Sequence, residues 1–306
     1  MNCCCDIHIP CVSVRTFCNH SFIHSKNLFK FNPYRTDIGG NMKKGTALIT
    51  GATSGIGFDF ASILAEKGYN LILASRNKEK LDEIKVSFEK DYGVSVETLA
   101  IDLATSGSAK QLYEETVNQN IEIDVLINNA GFGTQGEHVD LDINKVEGMI
   151  QLNITTLTLL CQFFGKDMKQ RGKGHILNIA STAAFQPDPY LATYGASKSY
   201  VLNFSEALAK EMEDYQVTVT CLCPGATDTN FFDYAQIGDK KRGLFSNKTR
   251  MKSREVAEIG INALFAGKLS LISGIMNSCL AFTNRLAPRK MSANISKKLL
   301  KDAIIE

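Results

Sequence analysis

The chain has no uninterrupted apolar run of the roughly 18 residues that a membrane-spanning helix needs. Its nearest candidate, Leu269 to Phe282, is broken by Ser270, Ser273, Gly274, Asn277 and Ser278. Excess charge is also lacking: 34 Lys and Arg stand against 32 Asp and Glu, a formal net charge of +2. No basic stripe marks a nucleic-acid binder. The nine cysteines have neither the spacing of a disulfide framework nor that of a zinc site, so no metal is expected. Five of them (Cys3, Cys4, Cys5, Cys11 and Cys18) crowd the first 41 residues, while Cys161, Cys221, Cys223 and Cys279 are scattered. Cys221 and Cys223 alternate within an apolar, β-like run, which reads as buried free thiols in a reducing, cytoplasmic setting.

Residues 1–41 also lack the periodicity seen later. They hold three of the five histidines, four basic residues and two acidic ones, leaving 30 of each sign in residues 42–306. The plainest reading is a disordered extension, with Met42 as an alternative start. An organelle-targeting segment remains a second reading, because acids are scarce and Arg, Ser and aromatics are present. A metal cluster of Cys11, Cys18, His20 and His24 matches no defensible zinc spacing.

From Met42 a single α/β domain is expected. Apolar strands at Thr46 to Thr50, Asn70 to Ala74, Val94 to Ile101, Ile123 to Ile127, His175 to Ala180, Gln216 to Leu222 and Leu269 to Ser273 alternate with helical patterns. The helices are placed at Phe58 to Glu66, Lys78 to Lys90, Ala109 to Gln119, 142–170 and 195–214, with a C-terminal helical segment over 275–306. Such alternation predicts a Rossmann-type, doubly wound parallel sheet of about seven strands with helices on both faces. Ligands bind such sheets beyond the carboxyl ends of the strands, so the turns there are the place to look.

The first turn is Gly51-Ala52-Thr53-Ser54-Gly55-Ile56-Gly57. Its glycines allow a tight turn, close approach of a pyrophosphate and packing of the helix on the strand, while the helix N-terminus offers free amides. After the second strand comes Arg76, with no acid beside it. A ribose 2′-phosphate favours arginine there and a free 2′-hydroxyl favours an acid, so NADP(H) is expected over NAD(H). Asp102 follows the third strand, either to accept from the adenine amino group or to cap the next helix. Asn128, Asn129, Ala130 and Gly131 form a small-residue turn able to lie against a cofactor.

These motifs resemble the short-chain dehydrogenase/reductase family over about residues 44–290. Gly51, Gly55 and Gly57 sit as in its nucleotide-binding turn, and Asn153, Ser181, Tyr194 and Lys198 match its catalytic tetrad in order and spacing. Pro224-Gly225 with Thr227 and Thr229 resembles the turn flanking the nicotinamide. The resemblance implies that Tyr194 exchanges a proton with the substrate oxygen and that Ser181 orients that oxygen. It further implies that Lys198 also binds the ribose and that Asn153 holds a relay water. Tyr194 and Lys198, four apart, share one helix face. For tyrosine to act as a base near pH 7, its pKa must fall by about 3 units, or about 4 kcal/mol. A homodimer or homotetramer through the helices at 142–170 and 195–214 is also implied.

The substrate side is open. Residues 226–253, with Phe231, Phe232, Tyr234 and the run Lys240-Lys241-Arg242, read either as a lid over a lipophilic substrate or as a solvated loop. The expected function is hydride transfer between a nicotinamide and a small-molecule carbonyl/alcohol pair. Within that class, 3-oxoacyl-carrier-protein reductase and hydroxysteroid-like dehydrogenase are alternatives. Outside it, the alternative is a sensor of NADP that performs no turnover.

Overall fold

The computed structural model describes residues 44–229, 231 and 250–301. The leader, the lid residues Phe232 and Tyr234, and the basic run Lys240-Lys241-Arg242 lie outside the described residues.

Seven strands form one parallel sheet: β1 (Thr46–Thr50), β2 (Asn70–Ser75), β3 (Val96–Ala100), β4 (Val125–Asn128), β5 (Gly174–Ile179), β6 (Val217–Cys223) and, after a short pair, β9 (Ser270–Ile272). Their spatial order is β3-β2-β1-β4-β5-β6-β9. The expected doubly wound sheet is therefore present, and its order reverses between β1 and β4. A crevice at such a switch point is where this architecture holds ligands.

The strands form because both faces are covered. Ala47 and Ile49 of β1 and Val125 and Ile127 of β4 pack into one apolar layer, whereas Leu48 and Leu126 turn into the other. This period of two within an unbroken apolar run is the signature of a parallel strand buried on both sides. Helices α1 (Gly55–Glu66), α2 (Lys78–Tyr92) and α7 (Ser253–Phe265) cover the first layer through Phe60, Leu64, Leu81, Phe88, Val256 and Ile261. Helices α3 (Ser108–Asn118), α5 (Leu157–Arg171) and α6 (Ala192–Met212) cover the second through Leu112, Leu160, Phe164 and Val201.

Several boundaries differ from expectation. Helix α1 starts at Gly55, three residues early, so the glycine turn itself supplies its first residues. Helix α3 starts at Ser108 behind Gly107, so Asp102 is not a helix cap; its carboxylate instead closes a turn on the amide of Ala104 at 2.9 Å. The pattern over 142–170 splits into α4 (Ile143–Ile150), a π-helical turn at Gln151–Thr156, and α5. Two short strands, β7 (Thr227–Asp228) and β8 (Met251–Lys252), pair in parallel and pin together the two ends of the expected substrate loop. Helices α8 (Ile275–Leu286) and α9 (Arg289–Lys301) complete the described chain. Among the described residues no helix is long and apolar enough to cross a membrane.

Candidate active site

The turn after β1 is fixed by the turn after β4. The Thr50 hydroxyl donates to the Ile127 carbonyl at 3.3 Å and accepts from the amides of Asn129 and Ala130, both at 3.0 Å. The side-chain amide of Asn129 donates to the carbonyls of Thr50 (3.0 Å) and Gly51 (3.3 Å). Gly51 takes a left-handed φ of +67°, and a Cβ at Gly57 would run into the Gly51 carbonyl and the Asn129 amide. Both glycines are therefore required sterically, and together they leave an open cradle. Ser54 precedes α1 without a side-chain bond to the helix, in contrast to Asn77, which accepts from Lys80 N at the start of α2. The amides opening α1 are thus left for a ligand, the arrangement a pyrophosphate needs.

A cleft of about 1550 Å³ runs from this cradle past the ends of β2, β3, β4, β5 and β6. Thr53, Ser54, Ile56, Arg76, Asp102, Asn129, Ala130 and Gly131 line its first part. Pro224, Gly225, Thr227 and Thr229 line it further on. Thr53 and Ser75 share a hydroxyl–hydroxyl bond of 2.9 Å at the foot of Arg76. Arg76 is exposed and makes no ion pair with any described residue. These residues fit a dinucleotide: a glycine cradle with free amides, an exposed arginine after β2, and small residues along the floor.

The cleft also gathers Ser181, Tyr194 and Lys198. Lys198 is buried, and its ammonium donates to the Ile179 carbonyl at 2.8 Å and sits 5.8 Å from the centre of the Tyr194 ring. Burial pulls the lysine down to about 8. The Tyr194 ring is half-buried and packs on Phe231 at 5.4 Å. Its phenol is pushed up to about 12, chiefly by burial and secondarily by the nearby Asp188 charge, while a hydrogen bond with Ser181 opposes the rise. The Ser181 hydroxyl accepts from the Ala183 amide at 3.2 Å, so it caps a turn and keeps its own hydrogen for another acceptor.

Asn153 is held differently from the other three. The π-helical turn aims its amide at the loop after β4, where Nδ2 donates to the Phe132 carbonyl (2.9 Å) and Oδ1 accepts from the Phe132 amide (3.2 Å). Nδ2 also donates to Ser197 Oγ at 3.1 Å, and Ser197 in turn donates to the Tyr194 carbonyl at 2.7 Å. Asn153 therefore bolts that loop to the helix carrying the tyrosine.

The family profile of short chain dehydrogenases matches residues 45–239. The chain belongs to the short-chain dehydrogenase family. Hydroxysteroid dehydrogenase-like protein 1 of Gallus gallus is 32% identical over 218 residues, covering 71% of this chain and 66% of that protein. A very-long-chain 3-oxoacyl-CoA reductase of Pyrenophora tritici-repentis (strain Pt-1C-BFP) is 35% identical over 219 residues, covering 70% of this chain and 61% of that protein. The chain thus spans less than two thirds of the length of these two relatives. Among solved structures, a short-chain dehydrogenase from Sphingobium yanoikuyae in complex with NADPH aligns with a TM-score of 0.71 at 30% identity, covering 79% of this chain and 93% of that one.

In this short-chain dehydrogenase the far end of the cleft holds a polar network that sequence reasoning missed. Asp188 accepts from Ser296 of α9 at 2.9 Å and from the Gln186 amide at 3.1 Å. Gln186 accepts from Asn284 of α8, which accepts from Ser292 of α9, each at 3.0 Å. The one signal in the sequence was an acid between two prolines, Pro187-Asp188-Pro189, six residues before Tyr194. Asp188 is 8% exposed, and among the described residues it pairs with no cation. Burial pushes its carboxyl from the usual 3.8 up to about 6, against the bonds from Gln186 and Ser296.

The folded state therefore holds this proton more tightly than the unfolded chain does. Ionising Asp188 costs stability, a cost absent below about pH 4, growing toward pH 6 and complete above it. Asp188→Asn keeps an oxygen for Ser296 and removes the buried charge. Thermal unfolding should show the variant matching wild type at pH 4 and exceeding it by up to about 3 kcal/mol at pH 7. A difference independent of pH would contradict this assignment.

Proposed function

We propose that this short-chain dehydrogenase is an NADP(H)-dependent oxidoreductase that reduces a lipophilic ketone or aldehyde to its alcohol. The observation that carries the reading is the placement of Tyr194, Ser181 and Lys198 in one cleft with the glycine cradle. When bound, the nicotinamide supplies hydride to the carbonyl carbon.

Tyr194 donates the proton to the carbonyl oxygen. A phenol is protonated near neutral pH, so Tyr194 is available as the general acid of the reductive direction. Ser181 donates its hydroxyl hydrogen to the same oxygen and orients it. Lys198, anchored on the Ile179 carbonyl, would hold the ribose with its remaining N–H groups, and its cation stabilises the phenolate left after proton transfer. Asn153 braces Tyr194 through Ser197 and would hold the relay water. Arg76 would hold the 2′-phosphate, and the carboxylate oxygen of Asp102 that has no partner among the described residues would meet the adenine amino group.

Support for a lipophilic substrate comes from the far wall, where Ile275, Met276, Leu280, Met291, Ile295 and Leu299 line the cleft. One relative is named a very-long-chain 3-oxoacyl-CoA reductase and the other is named for its likeness to hydroxysteroid dehydrogenases. The Thr134 hydroxyl and the Gln135 amide, buried in the same cleft without a partner among the described residues, would meet a polar group of the substrate. The reading extends to a reducing, cytoplasmic setting, which the free, buried Cys161, Cys221 and Cys223 suit. It also extends to a homodimer or homotetramer on α4–α6, where Ile143, Ile150 and Tyr200 are exposed.

The test is a panel of steroid ketones, 3-oxoacyl thioesters and small ketones, followed by loss of NADPH absorbance. Turnover should rise with substrate apolar size. NADPH binding with no turnover across the panel would favour the sensor instead.

A further inference from the structure

Helices α8 and α9 present an outer face that nothing in the described chain covers. Ile275, Cys279, Phe282 and Leu286 follow helical spacing on α8 and are all exposed, with Ile275 at 85%, Leu286 at 74% and Phe282 at 61%. Met291, Ile295 and Leu299 repeat every four residues on α9 and are also about half exposed. Exposed apolar side chains grouped on one pair of helices mark an interaction site. Ile275, Met291, Ile295 and Leu299 also line the cleft, whereas Cys279, Phe282 and Leu286 lie outside it.

The charge of the same segment is one-sided. Residues 275–301 contain Arg285, Arg289, Lys290, Lys297, Lys298 and Lys301 and no acid. Arg289, Lys290, Lys297, Lys298 and Lys301 are exposed and form no ion pair with any described residue. An amphipathic helix pair with an apolar stripe and flanking unpaired cations is the pattern that lies in the interface of an anionic bilayer. A second copy of the chain fits worse, because a two-fold contact would set these cations against their own equivalents.

We propose that α8 and α9 dock the protein on an anionic lipid surface, so that the mouth of the cleft opens onto the bilayer. Phe282 and Leu286 enter the acyl boundary, and the lysines of α9 meet the phosphate and carboxylate groups of the lipids. The docking stands on these two helices alone. The further step, that a lipophilic carbonyl substrate enters from the bilayer, rests on the function proposed above.

The experiment is flotation of the full chain with vesicles of phosphatidylcholine alone or with one third phosphatidylserine. Wild type should float with the anionic vesicles and lose binding on added salt. The double variant Phe282→Glu/Leu286→Glu should lower the bound fraction at least about tenfold, following the lost apolar burial. Lys297→Glu/Lys298→Glu should lower binding to the anionic vesicles only. Neither pair lines the cleft, and an unchanged thermal unfolding temperature verifies that the variants fold.

Wild type that stays in solution with both vesicles overturns the docking, as does a Phe282→Glu/Leu286→Glu variant that floats like wild type. Self-association by light scattering that this variant abolishes, without vesicle binding, assigns the face to a second copy and also overturns it. Flotation requires no turnover, so an inactive protein that still floats would leave the docking standing and remove the catalytic reading.

Discussion

Tyr194→Phe should lower kcat for NADPH-linked ketone reduction by about 10²- to 10⁴-fold, the contribution of a positioned general acid. Only one oxygen is removed. The ring's contact with Phe231 stays, and so does the bond from Ser197 to the residue's carbonyl. The fold and the cradle at Gly51 and Gly57 are untouched. NADPH affinity should therefore hold within about twofold, so that the loss falls on the chemical step. Because Lys198 is drawn down to about 8 and must be an ammonium to stabilise the phenolate, the wild-type rate should fall as pH rises through about 8, while the phenol itself stays protonated. A Tyr194→Phe enzyme at wild-type kcat would remove the tyrosine from the mechanism, and a parallel collapse of NADPH binding would recast it as structural.

Arg76→Ala should raise the NADPH Kd by about 10- to 150-fold, the equivalent of the 1.5–3 kcal/mol assigned to hydrogen bonds with a charged group. NADH binding should barely move, because the rest of the cradle is backbone and small side chains. Arg76 is exposed and unpaired among the described residues, so its removal breaks no internal contact. Measuring both affinities by fluorescence titration decides the point. An unchanged ratio between the two cofactors would take Arg76 out of the account and leave preference to other residues.

Much of this was legible in the sequence for definite reasons. A parallel strand covered on both sides is an unbroken apolar run, so β1, β4 and β6 stand out. The glycines of the first turn stand out because no other residue fits there: Gly51 for its φ, Gly57 for its neighbours. Tyr194 and Lys198 could be paired because a helix brings positions four apart onto one face.

What escaped was set by tertiary contacts. The π-helical turn at Gln151–Thr156 shifts the pattern by a single residue, which periodicity does not resolve, yet it is what aims Asn153 at Phe132. The roles of Asn153 and Asp102 were read from position, whereas their bonds to Phe132 and Ala104 depend on local backbone geometry. Asp188 was missed because its partner Ser296 lies 108 residues away. Nothing local announces that α9 folds back onto the Pro187-Asp188-Pro189 segment. Burial also moves the tyrosine pKa opposite to the shift a base would need, so in the chain by itself Tyr194 stays a protonated phenol near neutral pH.

The central claim is hydride transfer to a carbonyl carbon within this cleft, and one measurement addresses it directly. The full chain is supplied with NADPH deuterated at both C4 positions and with a ketone turned over in the panel, and the alcohol is analysed by mass spectrometry. The account predicts one deuterium on the carbinol carbon with wild type and none above background with Tyr194→Phe over the same interval. An alcohol formed without deuterium, or no alcohol from any carbonyl while NADPH binds tightly, would contradict it.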